Sequence, residues 1–402
     1  MGVTDSEGLV ADSRGRLILP SLIFTNFVNG TPGILTGLLL IDIGYTFGQP
    51  VGIMGQIRTA SAMAAVVSAL LVGALSMRYR YKSLLMVGQL FLLVSALGCT
   101  VAQSFQMMLI FFPLTGFGMS IVVPMAFSLI ARYFPLDSRA KAVGWMVAGG
   151  SLSYVVGSQV ITYLAGIGGW RMAYMGFVIP AIILGLLLSY VGFPREGTGG
   201  TAGTGGISLV EGYRAVLLRR SAAACLFATV LRMASFQLVL LYATSFFRQQ
   251  FELPRGMASL LMTGVALCYS LGSLTSGRLV GRFGRRRLVI TTTLLAGLFT
   301  VLMTLLPNYW MAVLMDLLGG WFFGMSQSAS QSLNLEQVPE FRGIMMSLNS
   351  ATGSLGSALG AGIGGAALLA YGYWMSGAIL GALGLVAALI YIFLTVDPTA
   401  QG

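Results

Sequence analysis

Apolar positions along this chain gather into long runs, each closed by a short stretch of glycine, proline, arginine or other polar residues. Many of the runs reach the roughly 20 residues that a helix needs to cross the ~30 Å hydrocarbon core of a bilayer. They lie at 17–40, 51–76, 83–103, 106–131, 142–165, 172–192, 221–247, 256–280, 288–306, 309–331, 343–369 and 374–395. The pattern predicts an all-α polytopic membrane protein with twelve transmembrane helices. Residues 1–16 are polar, with Asp5, Glu7 and Asp12, and lack the basic start and apolar core of a cleavable signal peptide.

Between the sixth and seventh runs the hydropathy falls. The stretch Gly197–Gly206 reads GTGGTAGTGG, the composition of a flexible linker. A phosphate-cradling loop would need a following lysine and a strand-to-helix setting, and neither is present. The stretch Ser208–Arg220 is expected to form a short helix on the cytoplasmic surface. These breaks give a tail at 1–16, a six-helix bundle at 17–192, a linker at 193–220, a second bundle at 221–395 and a tail at 396–402.

The two halves also match each other in register. Gly73 and Gly277, Arg78 and Arg282, Gly116 and Gly320, and Pro135 and Pro339 are each 204 residues apart. After one deletion the shift is 203, pairing Arg139 with Arg342 and Gly150-Ser151-Leu152 and Gly157 with Gly353-Ser354-Leu355 and Gly360. Hydrophobicity alone would not hold glycines, prolines and arginines in register over six helices. Two pseudo-symmetric six-helix bundles are a transporter architecture, with a substrate site near the bilayer midplane.

Composition agrees: 56% of residues are hydrophobic and 9% charged, against roughly a quarter charged in soluble domains. A net charge of +11 would ordinarily point to nucleic acid. With the N-terminus inside, however, the basic residues gather in cytoplasmic segments. Only Arg171, Arg248 and Arg255 fall in outside loops, and Arg58 and Arg232 fall within runs. That is the positive-inside asymmetry. It places both termini in the cytoplasm and makes anionic lipids at that face, not nucleic acid, the partner of the basic excess. The chain has no histidine and only Cys99, Cys225 and Cys268. Histidine-dependent nucleophile pairs, imidazole bases, His-bearing zinc sites and CxxC motifs are therefore absent. No enzyme, metal or cofactor is expected.

The loop after the second run reads Gly73-Ala74-Leu75-Ser76-Met77-Arg78-Tyr79-Arg80-Tyr81-Lys82, and its repeat reads Gly277-Arg278-Leu279-Val280-Gly281-Arg282-Phe283-Gly284-Arg285-Arg286. Both resemble the G-x-L-x-D-R-x-G-R-R/K loop of the major facilitator superfamily. Phe134-Pro135 with Arg139, Trp170-Arg171, and Pro339 with Arg342-Gly343 add to the likeness, which covers about residues 17–395. The resemblance implies the twelve-helix fold of that family and a cavity lined by the first, fourth, seventh and tenth helices. It also implies a gating role for the loop residues Gly73, Arg78, Lys82, Gly277, Arg282, Gly284, Arg285 and Arg286, beside the plainer role of setting topology. The loop acid is replaced by Met77 and Gly281. Phe112 stands where proton-coupled antiporters of the family carry an arginine, and Gly157-Ser158 stands where they carry Gly-Pro.

Ionisable side chains inside a bilayer cost about 2.5 kcal/mol or more, so each is a functional candidate. Asp316, seven residues into the tenth run and about 10 Å deep, is the one carboxylate well inside a run. One reading makes it the proton-coupling group, and the other a static partner of Arg232 or Arg58. Arg232, midway along the seventh run, could equally anchor an anionic substrate. Asn26, Asn29, Gln237, Trp321 and Gln327 are candidate cavity-lining residues, with interhelical hydrogen bonding the plainer reading. Gly150, Gly157, Gly353 and Gly360 read as sliding contacts between the bundles, or as ordinary packing within one.

The sequence thus predicts a secondary active transporter of a small organic solute working by alternating access, coupled to a proton or other ion and exporting drug-like or metabolic compounds. The alternative is an organic-anion importer or exchanger that uses Arg232. A more remote one is a non-transporting membrane sensor. A monomer in a prokaryotic plasma membrane is expected.

Overall fold

The computed structural model describes residues 15–193 and 209–397, without the side chains of 15–16, 73–74, 76–78, 136–137, 140–141, 209–212 and 342–343. Residues 1–14 of the expected tail at 1–16, the glycine-rich run and the side chains of Gly73, Arg78 and Arg342 lie outside the described residues. Within them the chain is helical and has no strand.

Helix α1 (Gly15–Leu38) leaves helical geometry at Leu39 and continues, bent by 62°, as Leu40–Phe47. That short piece is closed by Gly48, whose φ of 62° suits a glycine C-cap. There follow α2 (Val51–Arg78), α3 (Tyr81–Val101) and α4 (Phe105–Tyr133). One helical stretch then runs on to Gly192. It breaks at Gly168 (φ −136°, ψ 23°) and Gly169 (φ 72°, ψ −175°), the latter a conformation only glycine adopts readily. The break makes two helices, α5 (136–167) and α6 (170–192). The second half holds the surface helix Leu209–Leu218, then α7 (Arg220–Gln250), α8 (Arg255–Phe283), α9 (Arg285–Leu305), α10 (Tyr309–Gln337), α11 (Arg342–Tyr371) and α12 (Tyr373–Leu394).

Among the described residues nine helices are long and apolar enough to cross a membrane, or ten with the bent α1. Two features bring the number to the predicted twelve. The 51-residue candidate Ala142–Gly192 contains both α5 and α6. Helix α10, 29 residues long, falls short only in apolarity, because it carries Asp316, Gln327, Gln331, Asn334, Glu336 and Gln337.

The described residues group by contact into two compact units, one within Met1–Thr36 and Val67–Gly203, the other within Gly37–Val66 and Thr204–Gly402. The division differs from a split at the linker in one respect. The second unit takes in the bent end of α1 and the first half of α2. Gly52 of α2 lies on the Gly365 backbone, Gly55 lies on Tyr242 and the Ala361 carbonyl, and Thr59 Oγ1 donates to the Ala358 carbonyl at 3.2 Å. Small residues permit that approach.

The internal repeat is visible in hydrogen bonding. Lys82, the second residue of α3, donates Nζ to the carbonyls of Tyr190 (2.7 Å) and Phe193 (2.5 Å) at the end of α6. Arg286, its counterpart 204 residues on, is the second residue of α9 and donates Nη2 to the Ile392 carbonyl at 2.6 Å, at the end of α12. A cation on the last carbonyls of a helix satisfies orphan acceptors and the helix dipole together. Replacing either by alanine is expected to cost about 1 kcal/mol. In a thermal melt of the purified protein the two losses should add, since the caps sit in separate units.

Gly360 lies on Ala234 of α7 and Gly353 nearest Met233, both in the second unit. Gly150 faces Asn26 and Gly157 faces Phe177, both in the first. The neighbours of Gly150, Gly353 and Gly360 thus lie on α1 and α7, where small residues let helix backbones approach. At Gly277 a Cβ would meet nothing within 4 Å.

Candidate functional site

Several buried polar side chains of the second unit meet around α7 and α10. Arg232 of α7 is 2% exposed, and its head lies against the middle of α10. Nη2 donates to Gln327 Oε1 at 2.7 Å and Nη1 to Ser326 Oγ at 3.4 Å, while Nε has no hydrogen-bond partner. No carboxylate pairs with this guanidinium among the described residues. A buried cation held only by neutral groups is expensive.

One turn further along α7, Phe236 stacks on Tyr269 of α8 (centroids 5.5 Å apart) and tilts against Phe323 of α10 (4.6 Å). Val239, Val265 and Ala296 complete this apolar layer. Asp316 lies beyond it. Ten residues separate Asp316 from Ser326 on α10, about 15 Å at 1.5 Å per residue. Asp316 is 3% exposed, and its Oδ1 has no hydrogen-bond partner. The static Asp316–Arg232 pair is thus not formed: three turns of helix and an aromatic layer lie between the two groups. Arg58 is half-buried on the part of α2 that belongs to the second unit.

Towards the other end of α10 a buried polar seam follows, which sequence reading missed. Ser330 Oγ meets Tyr391 Oη at 3.0 Å. Asn334 Nδ2 donates to Asn349 Oδ1 at 2.7 Å, and Thr229 Oγ1 reaches that same oxygen at 3.3 Å. Ser221 Oγ donates to Gln337 Oε1 at 2.6 Å. The signal was available: positions 326, 330, 334 and 337 share one face of a helix and are all polar.

The cavity-lining candidates separate by environment. Gln237 is fully buried, neither its Oε1 nor its Nε2 has a partner, and it precedes the widened π-type turn Leu238–Tyr242. Such turns often mark functional sites, and an unpartnered buried amide calls for an explanation. Gln327 and Trp321 are half-buried, with Gln327 engaged by Arg232. In the first unit Asn26 Nδ2 donates to the Met146 carbonyl at 2.9 Å, which is an interhelical role. Asn29 is 7% exposed with Oδ1 unpartnered. Gln89, Thr25 and Ser189 tie α3, α1 and α6 together. Among the loop residues, Gly284 has φ 81° and links α8 to α9, Arg285 pairs with Glu336 at 3.7 Å, and Arg282 is exposed beside the Phe283 ring.

The family model of the Major Facilitator Superfamily matches residues 22–257 and 225–402. An MFS-type transporter of Bacillus subtilis (strain 168), YbcL, is 22% identical over 379 residues, 92% of this chain and 93% of that one. A probable sugar efflux transporter of Helicobacter pylori (strain P12) is 23% identical over 373 residues, again 92% and 93%. The 4-hydroxybenzoate transporter PcaK of Acinetobacter baylyi is 24% identical over 192 residues, covering 46% of this chain and 42% of that one. The crystal structure of a D-xylose–proton symporter shares the fold, with a TM-score of 0.78 at 15% identity over 96% of this chain and 99% of the other.

Proposed function

The chain belongs to the Major Facilitator Superfamily, a family of membrane transporters and not of enzymes, and from that premise we propose that it exports a small organic solute by alternating access, driven by a proton gradient through Asp316. The observation that carries the reading is the buried carboxylate with an unpartnered oxygen within α10. Such a group is tolerated in a membrane interior as the neutral acid or beside a cation. A cycle that alternates its surroundings between those two settings moves a proton. The resemblance to a sugar efflux protein supports export, and the bacterial relatives support a bacterial plasma membrane. Transport by Asp316→Asn in proteoliposomes tests the coupling.

Arg232 favours a second reading, in which the solute is an organic anion. Its guanidinium has no carboxylate partner among the described residues, and one relative is named for an aromatic acid. An incoming carboxylate could take the place of Gln327 on the Arg232 fork. Arg232→Gln is expected to reduce transport of carboxylates at least about tenfold, the scale of one lost charge-assisted hydrogen-bond pair, and to leave neutral solutes unaffected. Flux assays on matched benzoate and benzamide pairs would show this. Equal losses for both compounds would remove the anion reading.

A further inference from the structure

The second unit holds another charged cluster, which the transport reading above does not use. Gly37–Val66 packs within that unit, although the chain connects it at both ends to helices that begin or finish in the first. Its single acid is Asp42, in the short piece Leu40–Phe47. Two arginines meet it. Arg248, in the last turn of α7, donates Nη1 to Asp42 Oδ2 at 2.6 Å and Nη2 to Oδ1 at 3.5 Å. Arg255, the first residue of α8, pairs its Nη2 with Oδ1. The Asp42 and Arg248 side chains are 13% exposed and that of Arg255 is 45% exposed.

Both carboxylate oxygens therefore sit in a cradle of two guanidinium groups, with the planar two-point fit by which arginine recognises free carboxylates. Arg255 is half in solvent, so an external carboxylate can approach the cradle along that edge. The arginine distribution assigns this end of α7 and α8 to the outside.

We propose that Arg248 and Arg255 form an outer binding site for organic carboxylates, and that Asp42 is its built-in occupant, displaced when segment 37–66 leaves the second unit. The binding site rests on the geometry at Asp42, and only the departure of segment 37–66 rests on the alternating-access reading. A tethered carboxylate competes at an effective concentration of about millimolar or above. External carboxylates should consequently act in the millimolar range, favouring the conformation in which Asp42 has left by the amount of their differential affinity.

The test uses full-length protein in nanodiscs, titrated with sodium benzoate or sodium chloride at constant ionic strength and read by thermal shift. A fluorophore at Tyr45→Cys, a position 90% exposed beside Asp42, reports departure of the segment. Asp42→Asn removes the internal competitor and is expected to bind benzoate about tenfold more tightly than the parent protein. Asp42→Glu should retain the competition. Arg248→Gln and Arg255→Gln, each checked for monodispersity, should lose the benzoate response while keeping the chloride response. Equal responses to benzoate and chloride in every variant, or no gain in Asp42→Asn, would overturn the site. Benzoate binding that follows this pattern in a protein showing no flux would instead overturn the transport reading and leave the site standing.

Discussion

Proton-driven flux should fall at least 10- to 100-fold when Asp316 is replaced by asparagine, while exchange of solute without a pH gradient persists. The magnitude follows from the cost of an intramembrane charge, about 2.5 kcal/mol or more, which at about 1.4 kcal/mol per tenfold corresponds to that range. Asparagine keeps the size and burial of Asp316 (3% exposed) but cannot take up or release a proton. Proteoliposomes loaded with solute, with and without an imposed pH gradient, separate the two activities. If Asp316 only fills space between helices, both activities should survive the change. A loss of both with intact folding would make it a solute contact and not a coupling group.

The second large effect concerns folding. Leucine at Gly324 or Gly360 is expected to prevent the second unit from assembling. A Cβ at Gly324 would collide with the Tyr269 carbonyl of α8, and one at Gly360 with the Ala234 carbonyl of α7. Overpacking costs about 1–3 kcal/mol where side chains can shift, and here the obstacle is backbone on both sides. Larger losses follow, visible as aggregation on size-exclusion chromatography. Two controls sharpen the result. At Gly157 a Cβ would meet the Phe177 ring edge at 3.4 Å and Ser153 Oγ at 3.9 Å, and at Gly277 nothing within 4 Å, so leucine there should leave a monodisperse protein. Normal folding of Gly360→Leu with lost flux would contradict this account and restore a gating role for that glycine.

Much of the architecture was legible in the residues themselves. Bilayer thickness dictates the length of an apolar run, so twelve helices could be counted from the residues. That count includes α10, less apolar because it carries the polar seam, and the pair α5 and α6, which only Gly168 and Gly169 separate. The repeat was legible because glycines, prolines and basic residues stand at fixed offsets, and the Lys82 and Arg286 caps show what one such offset preserves. Candidate site residues were legible by type: a charge or amide within an apolar run is costly wherever it points.

Their partners were not legible. Sequence offered Asp316 for Arg232, since opposite charges in one membrane domain invite pairing. Depth decided otherwise, because Arg232 meets Ser326 and Gln327, about three turns of α10 from Asp316. Glycine spacing announced close packing but not with whom, and the answer was α7 for Gly360 and α1 for Gly150. Nor did any local feature place Gly37–Val66 with the second half, where Asp42 finds two arginines far along the chain. The sequence by itself determined the number of helices, the duplication and the inventory of buried chemistry, because these depend on periodicity and composition along one dimension. The tertiary structure alone decided which groups meet, because that depends on the depth and rotation of each helix against its neighbours.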